Sequence, residues 1–173
     1  MEPTQAVLAL EDRLAAAGYQ TAHASIARHD ALVARRSDFR WKWLATRLHT
    51  FVVAFTTPEL DENLADELTA AAQAYAFTHQ GGLRGLGAGA AAIAVFLTQA
   101  DRHSVHSWFA RQPRHGFSVL RFPVLVELES GGLTYLKARL VVGGLLYAGH
   151  LRGVVEEVIG PAVQPPPQSD PAR

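Results

Sequence analysis

Apolar positions recur along this chain at two periods, and the changes from one period to the other outline its elements. Val7, Leu10 and Leu14 fall at helical spacing and Gly18 offers a stop, which predicts a short amphipathic helix. Residues 30–36, DALVARR, then read as a modest strand. From Phe39 to Arg47 the pattern supports two readings. Phe39, Trp41 and Trp43 alternate with Arg40 and Lys42 as in a strand, while Trp41, Leu44, Ala45 and Leu48 also fit a helix; the alternation favours the strand. Residues 48–56, LHTFVVAFT, are β-branched and aromatic with little polar alternation, as expected of a strand covered on both faces.

Thr57, Pro58, Glu59, Asp61 and Glu62 form a helix start, because proline fits a first turn and acids meet the positive end of the helix dipole. Leu60, Leu64, Leu68, Ala72 and Tyr75 form one stripe down that helix, which ends near His79 before a glycine-rich connection. Residues 90–98, AAAIAVFLT, are short and apolar throughout and predict a second central strand. Thr98 with Asp101 makes a capping box for a helix whose inner face is Val105, Trp108 and Phe109 and which Pro113 ends. Alternation over 119–128 and 133–142, either side of Ser130, Gly131 and Gly132, predicts a β-hairpin. A last helix follows Gly143 and Gly144, with Tyr147, Leu151, Val154, Val155 and Val158 inside and Gly160 and Pro161 closing it.

These elements imply an α+β fold, an α/β sandwich with a mixed sheet of about five strands and about four helices. They fit a single domain over 1–163, followed by a disordered proline-rich tail over 164–173, QPPPQSDPAR, which has nothing to bury. The order strand, helix, strand, helix, hairpin, helix resembles the thioredoxin-like fold. The closest local match is RFPVLVELESGGLTYLKARLVVGG, which is similar to that family's proline-initiated strand, glycine turn, partner strand and glycine-led helix. The resemblance implies that Pro123 stands for the family's cis-proline beside a binding groove. It does not extend to redox chemistry, since TTPELDEN, with neither cysteine nor serine, occupies the place of the dithiol.

Composition narrows the functional classes. The chain has no cysteine, which excludes disulfides, thiolate nucleophiles and zinc sites built on sulfur. Its 16 basic and 16 acidic residues cancel, so any charged partner must be met by a local patch. The apolar stretch at the N-terminus carries acids and does not have the form of a signal peptide, and no segment reaches the length of a membrane span. The expectation is a cytoplasmic protein with no membrane association.

The densest local chemistry is Arg35, Arg36, Phe39, Arg40, Trp41, Lys42, Trp43 and Arg47, where cations interleave with aromatics that could stack on bases. On a half-buried strand the same alternation simply buries the rings and solvates the charges. His103 and His106 stand three apart on a helix and could share a metal ion, although no third ligand has diagnostic spacing. Glu127, Glu129 and Lys137 bring carboxylates near a lysine, but alternation turns Glu127 away from Val124, Val126 and Leu128, hence toward solvent. The loop 81–89, GGLRGLGAG, follows a helix and precedes a strand, the wrong order for a dinucleotide cradle. Gly149 and Gly153, one turn apart, would let another backbone approach the last helix, at the sheet or across a homodimer seam.

With no coherent catalytic constellation, the leading expectation is a non-catalytic protein-binding or interaction domain that needs no cofactor. The alternatives are binding of single-stranded nucleic acid or another polyanion through residues 35–47, and a metal-dependent hydrolase using His103 and His106.

Overall fold

The computed structural model describes residues 1–40, 46–81, 88–99, 103–111, 119–137 and 145–163. Among the described residues six strands form one mixed sheet whose spatial order follows the chain: β1 (Gln20–Ile26), β2 (His29–Arg40), β3 (Thr46–Thr56), β4 (Ala88–Thr98), β5 (Val119–Glu127) and β6 (Gly132–Tyr135). β1, β2 and β3 make an antiparallel meander, β3, β4 and β5 run parallel, and β6 folds back on β5. Helix α1 (Pro3–Ala16) precedes the sheet, α2 (Glu62–His79) links β3 to β4, and α3 (His103–Ala110) lies between β4 and β5. The last described elements are α4 (Leu145–Val154), a π-helical turn over Val155–Ile159 and α5 (Gly160–Val163). The α+β expectation holds, with a sixth strand added.

Both faces of the sheet are covered. Leu68 and Ala72 of α2 and Val105 and Phe109 of α3 pack with Val53, Phe55, Phe96 and Leu125. Leu10 and Leu14 of α1 and Leu151, Val155 and Ile159 pack on the other face with Val52, Ile93, Val95 and Val124. Parallel strands added in one direction through right-handed crossovers place successive helices on one face, as α2 and α3 are. That double cover explains why β4 is apolar throughout and why β5 alternates less than a one-sided strand would.

The strand missing from the sequence reading is β1. It is a polar, largely exposed edge, with Ile26 its only buried residue. Its turn into β2 has left-handed backbone at Ala27 (φ 49°) and Arg28 (φ 66°), a conformation usually signalled by Asn-Gly. α2 starts later than expected: Asp61 is its cap, with its side chain accepting from the Leu64 amide at 2.7 Å. The second hairpin strand is shorter than 133–142; Leu136 and Lys137 lie beyond it, and 138–142 are outside the described residues.

Nor does the last helix stop at Gly160 and Pro161. The π turn shifts the hydrogen-bonding register, so that the Gly160 amide donates to Val155 O. Proline 161 has no amide to offer Glu157 O, and Arg13 Nη2 of α1 donates to that carbonyl instead, at 3.3 Å. Asp101, Pro113, the core of the glycine-rich loop at 82–87 and the tail at 164–173 lie outside the described residues.

Candidate functional site

Buried polar side chains are scarce among the described residues: His49, Thr50, Thr57, Thr69, Thr98 and Glu127. Three of them lie at the ends of neighbouring parallel strands: Thr57 directly follows β3, Thr98 ends β4 and Glu127 ends β5. Thr98 pairs in register with Glu127, and the Thr57 amide donates to Leu97 O at 3.0 Å. Alternation with Phe55, Phe96 and Leu125 turns all three toward the face covered by α2 and α3. This is the carboxyl edge of the parallel strands, where the connections to α2 and α3 begin.

Glu127 is the centre of the group. The expectation that it faces solvent is overturned: alternation gave the correct face, but α3 covers that face. The imidazole of His106 lies over the carboxylate, with Nε2 2.6 Å from Oε1 and side chains 31% and 9% exposed respectively. A carboxylate only accepts, so the proton of this contact lies on Nε2, and Nδ1 is the ring's other nitrogen. Ser130 Oγ donates to the other oxygen at 3.2 Å, and the Gly132 amide donates to Ser130 Oγ at 3.0 Å. A Cβ at Gly132 would fall 2.6 Å from Glu127 Oε2, so the hairpin turn is shaped around the carboxylate. Thr57 Oγ1 is buried without a hydrogen-bond partner. The arrangement has the parts of an acid–base centre: a partly exposed imidazole, a buried carboxylate that orients it, and hydroxyls on the same edge.

A second polar cluster occupies the opposite face. Arg36 Nε donates to Asp38 Oδ2 at 2.9 Å and Nη1 to Ala17 O at 2.7 Å, and the guanidinium lies 4.8 Å from the Tyr19 ring centroid. His150 Nε2 stands 3.7 Å from Asp38 Oδ2 and 3.4 Å from Thr50 Oγ1. Asp38, Thr50 and His150 were not visible as candidates, because only the meander and the last helix bring them together.

The basic segment is divided by the sheet. Arg35 faces α2, where its Nη2 donates to Gln80 O at 3.0 Å and so meets the negative end of that helix. Arg36 projects to the other side. Arg47 and Phe39 are exposed, and burial together with Arg35 and Arg47 lowers the pKa of His49. Arg40 ends β2; Trp41, Lys42 and Trp43 lie outside the described residues. Pro123 is buried within β5, opposite Ala94 of β4, and no peptide bond among the described residues is cis. His103 begins α3, and no group of three metal-ligating side chains occurs among the described residues. Glu129 is exposed, and Lys137 is exposed with its Nζ 5.9 Å from the Tyr135 ring centroid.

Compared with protein-family models, with curated proteins and with solved structures, the chain matches none. The thioredoxin-like resemblance, carried by the order of elements and the Pro123 hairpin segment, therefore gains no support from any family, relative or structural neighbour. No helix among the described residues is long and apolar enough to cross a membrane.

Proposed function

We propose that this protein binds a small polar molecule at the carboxyl edge of β3, β4 and β5, and that His106 acts on it as a general acid–base catalyst. The observation that carries this reading is the 2.6 Å contact between the partly exposed His106 ring and the buried Glu127 carboxylate. Burying a carboxylate is costly unless it is paired, and this one is held by a ring that also reaches solvent. Glu127 then acts as a positioning residue: it fixes the tautomer and stabilises the imidazolium as His106 takes a proton from water or a substrate hydroxyl. Thr57 and Thr98 supply hydroxyls on the same edge to orient the bound molecule. Hydrolysis is the simplest reaction this set serves, with water as the proton donor.

The test is hydrolysis of p-nitrophenyl acetate and p-nitrophenyl phosphate by wild type, His106→Gly and His106→Gln. Wild type is expected to turn over one of them, and His106→Gly to lose about 100-fold in kcat or more, with recovery on adding imidazole. His106→Gln keeps a donor for Glu127 and controls for folding; it should remain folded and inactive. Turnover that survives both variants, or a wild type without turnover, would return the protein to the non-catalytic interaction domain expected from sequence.

A further inference from the structure

On the face opposite His106, a cleft of about 200 Å³ opens between α4 and β2, lined by Arg36, Gly149, His150, Gly153, Val154, Glu157 and Val158. Its walls carry opposite charges. On the β2 side, Arg36 is fixed by Asp38, by Ala17 O and by the Tyr19 ring, which commits Nε and Nη1 and leaves the donors of Nη2. A guanidinium held this way is pre-organised for an oxyanion, since little side-chain freedom remains to be lost on binding. On the other side Glu157 stands on the π-helical turn, its Oε1 3.8 Å from where a Cβ of Gly153 would lie. Arg13 donates to the main-chain oxygen of Glu157, not to its carboxylate, and Glu157 lines the cleft.

The two glycines make the cleft open. Neither Gly149 nor Gly153 has positive φ, and a Cβ at Gly149 would meet nothing within 4 Å. Neither backbone conformation nor crowding accounts for glycine at position 149, although interior glycines weaken a helix. Their effect is to leave room between a cationic and an anionic wall, beside the apolar side chains of Val154 and Val158.

We propose that this cleft binds a small zwitterion of the amino-acid class, with its carboxylate on Arg36 and its ammonium on Glu157. A simple anion would meet Glu157 unfavourably and a simple amine would meet Arg36 unfavourably, whereas a molecule with both charges satisfies both walls. The site is separate from the His106 edge and does not depend on the catalytic reading.

The test is an amide-resonance titration of the full chain with L-alanine, propionate and ethylamine. L-alanine should move the Gly149 and Gly153 amides, and the two half-molecules should bind about tenfold more weakly or worse. Gly149→Leu, which fills the cleft while improving helix propensity, should abolish binding without lowering the melting temperature. Glu157→Gln should remain folded and bind L-alanine no better than propionate. Still amides at saturating L-alanine, or propionate binding wild type as tightly as L-alanine, would overturn the proposal.

Discussion

Two of the histidine–carboxylate pairs among the described residues lie on opposite faces of one sheet, and their differences suggest different work; a third, His23 and Glu11 at 3.2 Å, has the most exposed ring of the three. At the carboxyl edge, the carboxylate of Glu127 is the buried partner and His106 the more exposed one, 2.6 Å away. On the other face, His150 is the buried partner, 6% exposed, and lies 3.7 Å from Asp38, which Arg36 already holds at 2.9 Å. A ring that covers a carboxylate and still reaches solvent can exchange a proton with a bound molecule. A ring whose side chain is 6% exposed between its own helix and the sheet, beside an acid that Arg36 already holds, instead ties α4 to β2 and β3. Histidine chemistry therefore depends here on which partner is buried, more than on the presence of the pair.

The strongest way to break this contrast is to remove each ring. His150→Ala should cost about 2–3 kcal/mol, because it leaves a cavity under α4 and strips Thr50 and Asp38 of a neighbour. His106→Gln should cost less than about 1 kcal/mol, since its amide can donate to Glu127 and the position is partly solvated. Urea denaturation of the two variants checks both values. Comparable losses would mean that His106 is as structural as His150, and the functional assignment would lose its footing.

A somewhat smaller effect is expected at Gly132. Alanine there would place Cβ 2.6 Å from Glu127 Oε2 and 2.9 Å from Ser130 Oγ, so the carboxylate or the turn must move. We expect a loss of about 1–3 kcal/mol together with weakened activity. In a Glu127→Ala background the main collision is gone, so the same substitution should cost less by about 1 kcal/mol, a coupling that a double-mutant cycle reads directly. Strict additivity would show that the turn does not depend on the carboxylate.

Much of the architecture was legible because it follows from local periodicity. The apolar runs of β3 and β4, the stripe of α2 and the inner face of α3 all announce themselves within a dozen residues. β1 did not, because an exposed edge strand needs few apolar residues and its turn uses Ala27 and Arg28 where glycine would have marked it. The candidate site was half legible. His106 and Glu127 were each singled out, yet they stand 21 residues apart on a helix and a strand, and only the crossover joins them. Alternation gave the face of Glu127 correctly but could not show that a helix covers that face. The second cluster was invisible for the same reason at greater range, since Thr50 and His150 are 100 residues apart.

The smallest expected effect tests how the second cluster holds Arg36. Tyr19 lies beneath that guanidinium with its hydroxyl buried and without a hydrogen-bond partner. Burial pushes its pKa up from 10.0 to about 12, with Arg36 pulling it down and Asp38 raising it further. Above pH 10 an unfolded chain would ionise this phenol while the folded protein keeps its proton. The native state then binds more protons, and stability falls as pH rises from 10 toward 12. Tyr135 is also raised to about 12, but its hydroxyl donates to Glu156 Oε1 at 2.6 Å, so its share of the alkaline loss carries a hydrogen bond with it. Tyr19→Phe should leave stability at neutral pH unchanged or raise it by up to about 1 kcal/mol, because an unpaired buried hydroxyl is removed while the ring beneath Arg36 is kept. It should also flatten, without abolishing, the alkaline decline measured by urea denaturation at successive pH values. A Tyr19→Phe variant clearly less stable than wild type at pH 7 would mean that the hydroxyl has a partner, and that Arg36 is held by more than Asp38, Ala17 O and the ring.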